Sequence, residues 1–274
     1  MEIIENDYYI FNEDIKGSNE FDGNFISKGK SLYEVIRIYK GIPLFFEKHI
    51  YRMINSANIS NLKLPFNNEK LKDSILRLTE INKVQFGNIK VVFNFYNNEC
   101  NFYCYFIKHH YPSEKDYKEG VATILFKGER KNPNAKIMDV SFREGTDKAI
   151  KNKRVFEAIL VDRNGNITEG SKSNIFMVKG DCIYTSPVED VLPGITRDII
   201  IKVVLECGYK IKEERVNYEN IKYMDGLFIS GTSPKVLPIN KVDTICFDSS
   251  NNSVIKEIHK SYDNYLEQYV SQFS

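Results

Sequence analysis

From Thr168 to Asp198 the chain reads TEGSKSNIFMVKGDCIYTSPVEDVLPGITRD. One acidic residue, Glu169, leads into a hydroxyl-rich loop in which Ser171 and Ser173 flank Lys172. Two strand-like runs follow, Asn174 to Val178 and Cys182 to Thr185, joined by Lys179-Gly180-Asp181 as in a hairpin. Pro193-Gly194-Ile195-Thr196 then opens a helix expected over 194–207, with Gly208 as its stop. On the other side, Phe156 to Val161 (FEAILV) predicts a strong strand, and Asp162 to Asn166 (DRNGN) a tight turn.

Further out, Tyr8 to Phe11 predicts a short strand turned back by Asn12-Glu13-Asp14. Leu32 to Tyr39 alternates like a strand, and Gly41-Ile42-Pro43 joins it to Leu44-Phe45-Phe46 as a hairpin. Ile50, Ile54 and Ala57 are spaced for a helix, as are Leu71, Ile75 and Leu78. Ile89 to Phe93 and Phe102 to Ile107 predict two strands around Asn97-Asn98-Glu99. The second half adds a strand at 121–126, a helix over about 143–153, strands at 211–216 and 227–230, and a helix over about 253–270. Several helices separate the strands without a regular βαβ rhythm, which makes the fold class α+β. The expected organisation is a domain at 1–112, a turn-rich, charged connection at 113–120, and a second domain at 121–274.

With 274 residues the chain is long enough for two cores. A net charge of +1 gives no reason to expect nucleic acid or an anionic membrane as a partner. No stretch is long and apolar enough to span a bilayer, and the acidic start Met1-Glu2-Ile3-Ile4-Glu5 is unlike a secretory signal. Cys100, Cys104, Cys182, Cys207 and Cys246 lack metal-ligand spacing, so no metal is expected. Reduced thiols in a cytoplasmic protein are the expectation.

Gly194-Ile195-Thr196 at a helix start presents backbone amides, a hydroxyl and the positive end of the helix dipole, donors that suit a phosphate dianion. Taken alone, a Pro-Gly helix entrance is more often a simple cap. Glu169 alone is more often an exposed turn carboxylate; buried, it could keep a ring nitrogen protonated. Gly231-Thr232-Ser233 after a strand offers a second small anion cradle. Together these suggest a phosphorylated nitrogen heterocycle, with pyridoxal phosphate the obvious candidate. Such chemistry needs a lysine. Lys136, between Asn132-Pro133-Asn134-Ala135 and Ile137-Met138, stands out modestly among many.

These segments, with YEVIRIYKGIPLFFEKHIYRM from Tyr33 to Met53, resemble the fold-type IV pyridoxal-phosphate enzymes, the class-IV aminotransferase family. Branched-chain and D-amino-acid aminotransferases and aminodeoxychorismate lyases belong to that group. The resemblance covers nearly the whole chain and implies a two-domain fold-type IV architecture with pyridoxal 5'-phosphate as cofactor. It implies that Lys136, lying 21 residues before Glu157, carries the cofactor covalently and moves the proton during catalysis. Glu169 would pair with the ring nitrogen, and Arg52, Ile195, Thr196 and Thr232 would bind the phosphate. Tyr33, Asn94, Ser171, Lys172 and Ser233 are candidates for the substrate side or active-site wall, and His49 for packing.

The sequence also departs from the family. No arginine stands near the end of Val91-Val92-Phe93-Asn94-Phe95, where D-amino-acid and lyase members commonly have one. The turn before Tyr33 is altered to Lys28-Gly29-Lys30-Ser31, and Ile137 to Phe142 lacks the tyrosine of branched-chain members. The implied function is transamination between an amino acid and a 2-oxo acid, in a cytoplasmic homodimer. Two alternatives stand beside it: an aminodeoxychorismate lyase releasing pyruvate and 4-aminobenzoate, and a catalytically inactive cofactor-binding or scaffold protein.

Overall fold

The computed structural model describes residues 2–65, 67–109 and 111–273. Its architecture is α+β, and the chain falls into two compact units. The first comprises Met1–His110, Ala135–Met138 and Leu266–Ser274, and the second Tyr111–Asn134 and Asp139–Tyr265. Contacts thus assign two later segments, one of them carrying Lys136, to the first unit.

The first unit is built on a six-stranded sheet of β1 (Tyr8–Phe11), β2 (Asp14–Gly17), β3 (Lys30–Tyr39), β4 (Ile42–Pro43), β5 (Phe86–Tyr96) and β6 (Glu99–Ile107). The spatial order is β2-β1-β6-β5-β3-β4, antiparallel at every pairing. Side chains alternate along β3. Leu32, Ile36 and Ile38 enter the main core, while Tyr33 joins a second cluster with Tyr9, Phe25, Val92 and Tyr105. Two helices cover the main core, α1 (Phe46–Ile59) and α2 (Asn68–Ile81). The buried stripe on α1 is Phe46, Ile50, Met53 and Ala57, and on α2 it is Leu71, Ile75 and Leu78. Burying each such Ile or Leu contributes roughly 1.5–3 kcal/mol. Asn67 caps α2 by accepting from the Lys70 amide at 2.8 Å.

The expected hairpin at 44–46 is a correction. β4 stops at Pro43 because Phe45 takes left-handed backbone (φ 54), and Phe46 already begins α1. Ile54, counted on the helical stripe, is 40% exposed.

The second unit starts with α3 (Glu114–Glu119), a helix inside the stretch expected to be a connection. Ser113 and Asp116 close a reciprocal capping box on it, Ser113 N donating to Asp116 at 2.7 Å. Then come β7 (Val121–Lys127), α4 (Val140–Lys153), β8 (Glu157–Val161), β9 (Asn166–Gly170), β10 (Asn174–Lys179) and β11 (Cys182–Thr185). The chain continues through α5 (Ile195–Glu206), β12 (Lys210–Glu213), β13 (Val216–Asn217), β14 (Gly226–Gly231), β15 (Lys235–Val242), β16 (Ile245–Cys246) and α6 (Ser253–Gln272), of which the residues from Leu266 onward are counted with the first unit. The sheet order is β12-β11-β10-β14-β15-β7-β8-β9-β13, with β16 beside β15. Its core holds Ile159, Ile175, Met177, Leu227, Ile229, Leu237 and Ile239, none with more than 0% exposure.

The single strand expected at 211–216 is two strands with different partners. β12 runs parallel to β11, while β13 pairs antiparallel with β9. β15 escaped the pattern because Pro238 interrupts the run, yet Pro238 sits in register with Phe228. Gly208, at φ +83, follows the end of α5 as its spacing predicted.

Candidate active-site residues

In the first unit, the segment 135–138 lies alongside β3. Lys136 O accepts from Tyr33 N at 3.2 Å, and Met138 N donates to Ser31 O at 3.0 Å. Lys136 N donates to Ser56 Oγ at 3.1 Å, and that hydroxyl donates to Arg52 O at 2.8 Å. The lysine backbone is therefore fixed from a strand and a helix at once. Its Nζ lies 4.9 Å from the centre of the Tyr33 ring. Tyr33 is buried, and Lys90 Nζ stands 5.1 Å from the same ring.

On the other face of β3, Glu34 meets two side chains of α1. Arg52 donates from Nε to Glu34 Oε1 at 2.8 Å and from Nη2 to Oε2 at 2.6 Å, the bidentate fork that suits a carboxylate. His49 Nδ1 lies 2.7 Å from Glu34 Oε2. All three are buried. Arg52 and His49 face the same strand because they are three residues apart on a helix. His49 thus packs beside Arg52 and shares its Glu34 partner.

Burial by itself pushes the Glu34 carboxyl up, but the Arg52 guanidinium and the His49 contact more than offset it and hold the group at about 2. His49 is pushed below 6.5, first by burial and then by Arg52 and Lys136, with Glu34 opposing. A carboxyl depressed on folding adds stability above its ordinary 4.5 and loses it as pH falls toward 2. An imidazole depressed on folding costs stability as pH falls below 6.5. The unfolding temperature is therefore expected to decline below pH 6.5 and to fall more steeply below 4.5. His49→Asn should remove part of the first decline, with half-buried His259, which is also depressed by burial, contributing to the rest. Thermal unfolding across pH checks this; a His49→Asn curve parallel to the parent's through that range would refute the assignment.

Asn94 acts differently from a substrate-facing arginine. Its buried amide donates to Lys28 O at 2.8 Å, to Ser31 Oγ at 2.9 Å and to Phe25 O at 3.4 Å. It latches the loop before β3, whose Gly29 has φ +68 and would drive a Cβ to within 2.1 Å of Phe95 O. Lys28 in that loop is exposed.

In the second unit, Glu169 lies within β9 and is 3% exposed, so the exposed-turn alternative is ruled out. Its Oε2 accepts from Leu192 N at 3.1 Å, and its Oε1 lies 2.8 Å from Arg130 Nε, an ion pair rather than an aligned hydrogen bond. Arg130 Nη2 also donates to Ser171 O at 2.9 Å. Leu192 precedes the helix entrance, so the glutamate and the α5 start are coupled through one amide.

Ile195 and Thr196 are the first residues of α5, both buried, and the N-cap residue, Gly194, has no side chain to cap that helix start. A Cβ on Gly194 would fall 2.0 Å from Asn174 Oδ1, so any larger residue there displaces the Asn174 side chain. Asn174 Nδ2 in turn donates to Leu192 O at 3.0 Å, and Asn134 Nδ2 to Val191 O at 2.8 Å. Opposite Asn174 on β14, the buried Ser230 hydroxyl has no partner among the described residues. An uncapped helix start and an orphaned hydroxyl one strand away from Asn174 fit a phosphate group. Thr232 and Ser233 form the half-buried turn after β14.

Two loop residues have structural partners. The Ser171 hydroxyl donates to Glu157 Oε1, and Ser173 Oγ to Glu157 Oε2 at 3.2 Å. Burial pushes the Glu157 carboxyl up, while these bonds resist that. Lys172 is exposed and pairs with Asp147 at 2.6 Å. Sequence reasoning did not single out Glu34, Lys90 or Arg130 for a site. The signal was present for Lys90, the lone charge of an apolar strand run, while Glu34 shares its run with Arg37. Arg130 had no pattern to mark it.

A cleft of about 410 Å³ between α1 and α2 is lined by apolar Met53, Leu62 and Leu71 and by polar Asn58, Lys63 and Asn67. None of the candidate site residues lines it. Among the described residues no group of three His, Cys, Asp or Glu could hold a metal, and no helix is long and apolar enough to cross a membrane.

The profile of the family described as Amino-transferase class IV matches residues 31–242. The chain belongs to this family. It is 29% identical over 229 residues to a D-alanine aminotransferase of Bacillus licheniformis, covering 78% of this chain and 80% of that one. Over 239 residues it is 25% identical to a branched-chain-amino-acid aminotransferase of Pseudomonas aeruginosa, covering 78% and 76%. Among solved structures, the branched-chain amino acid aminotransferase from Escherichia coli superposes with a TM-score of 0.83 at 22% identity, covering 96% of this chain and 95% of that one. The class IV, fold-type IV architecture is thereby established for this chain, and its relatives are enzymes that act on different amino acids.

Proposed function

We propose that this class IV protein is a pyridoxal-phosphate-dependent aminotransferase that exchanges an amino group between an amino acid and a 2-oxo acid. The observation that carries the reading is Lys136, a lysine whose backbone is held by Tyr33 and Ser56 and whose amine rests against one aromatic ring. Bound pyridoxal phosphate supplies an electron sink for the amino-acid α-carbon. Lys136 holds the cofactor and, once released from it, moves the proton from the α-carbon. Glu169, buried and ionically paired, keeps a ring nitrogen protonated. The start of α5 at Ile195 and Thr196, with Thr232, binds phosphate, and the Arg52 plane, fixed by Glu34, adds a cation.

Tyr33 lines the substrate side. Asn94, Ser171 and Lys172 take supporting roles, given the partners each already has. Ser233 flanks the Thr232 turn on the same reading. A homodimer is part of the proposal and is checked by sedimentation equilibrium.

The deciding experiment gives the reconstituted protein a panel of L- and D-amino acids with pyruvate or 2-oxoglutarate, beside aminodeoxychorismate. Amino transfer with at least one pair is expected. Pyruvate release from aminodeoxychorismate with no transfer from any pair would replace the transaminase by the lyase. Absence of both, with no visible absorbance from bound cofactor, would leave a scaffold protein.

A further inference from the structure

Lys90 sits in the middle of β5 with its side chain 8% exposed, an unusual place for an ammonium. Its Nζ donates to Glu2 Oε1 at 2.7 Å. The other oxygen of the same carboxylate accepts from the buried Tyr105 hydroxyl at 3.1 Å. A carboxylate is thus gripped at both oxygens, by an ammonium and a phenol that two neighbouring strands place side by side, Lys90 being in register with Tyr105. The Lys90 and Lys136 ammonium groups contact one ring, that of Tyr33.

The seat of Glu2 is built as well as its side-chain contacts. Glu2 N donates to Gly23 O at 3.1 Å, and the Glu2 backbone presses on Gly23 so closely that a Cβ there would meet Glu2 O at 2.0 Å. Only glycine admits that approach. Two features at separate places in the sequence therefore hold one carboxylate beside Tyr33.

We propose that Lys90 and Tyr105 form a carboxylate-binding site that Glu2 fills from within the chain, making Glu2 a specificity-determining residue. With the site filled, the Lys90 charge is offset by Glu2, and a second carboxylate on a substrate near Tyr33 finds that cation already taken. The intact chain thereby selects monocarboxylic amino and 2-oxo acids over dicarboxylic ones. The physical basis is that one buried ammonium binds one carboxylate strongly, and a second carboxylate there meets like charge. This rests on Tyr33 and Lys136 forming the substrate side, as proposed above.

The test uses the full-length holoenzyme as parent, Glu2→Ala, Glu2→Ala/Lys90→Gln and Gly23→Ala. Glutarate and propionate serve as unreactive probes in calorimetry, and 2-oxoglutarate is compared with pyruvate as amino acceptor. Glu2→Ala is expected to bind glutarate about tenfold or more tightly than the parent, with propionate unchanged. The kcat/KM ratio of 2-oxoglutarate to pyruvate should rise alike, Gly23→Ala should move the same way, and Glu2→Ala/Lys90→Gln should return to the parent. Where Glu2→Ala lowers the unfolding temperature enough to spoil the comparison, Glu2→Gln takes its place. Glutarate affinity unchanged in Glu2→Ala, or a gain that persists without Lys90, overturns the inference. Failure of amino transfer by every variant would count against the aminotransferase reading instead, and the glutarate comparison would still decide the role of Glu2.

Discussion

Lys136→Ala is expected to lower amino-transfer turnover by at least about 10³-fold while the protein stays folded. Positioned proton transfer by a side chain is worth about 10²–10⁴ in rate, and here the same amine is proposed to hold the cofactor as well. The fold should tolerate the change, because the bonds that fix the segment come from the backbone. Tyr33 N to Lys136 O and Lys136 N to Ser56 Oγ both survive in alanine. The contact over the Tyr33 ring goes, about 0.5–1 kcal/mol for a half-buried ammonium. Turnover, visible absorbance after reconstitution and thermal unfolding would be measured together. A variant that keeps both turnover and the visible band would remove Lys136 from the mechanism and with it the proposed function.

Glu34→Ala should produce the largest stability loss at any one site residue of the first unit. The carboxyl held at about 2, against an ordinary 4.5, reflects roughly 3 kcal/mol of preference for its ionised form in place. Removing it strands a buried guanidinium, for which about 3–5 kcal/mol is the usual cost. Glu34→Gln, which keeps a hydrogen-bond acceptor, should lose less. Denaturant titration at neutral pH checks the ordering. The same variant should weaken cofactor binding, because Arg52 loses the partner that fixes its plane. A Glu34→Ala protein as stable as the parent would mean that Arg52 finds solvent or another partner and that the triad is not what positions it.

The class of the fold was legible because its signals are local. Alternation in β3, the apolar run in β5, the apolar stripes of α1 and α2, and the Gly208 stop of α5 each depend on residues a few positions apart. β15 was not, because a proline spoils the local pattern and pairing with β14 and β7 supplies what propensity lacks. The strand at 211–216 splits for the same reason, since its two halves answer to partners far apart in sequence.

Site chemistry divides along the same line. By itself the sequence determined which residue types stand at Lys136, Glu169, Arg52 and the Gly194-Ile195-Thr196 entrance, and ordered motifs carried the family resemblance. It could not say which charges are buried or paired, because an ion pair joins residues through space. Glu34 with Arg52, Arg130 with Glu169 and Glu2 with Lys90 span 18, 39 and 88 positions. Only the tertiary structure decided that Glu169 is a buried strand residue, that Asn94 latches a loop, and that Lys90 carries its own counter-charge beside Tyr33. Burial makes those charges costly to leave alone, and packing chooses which partner each one meets.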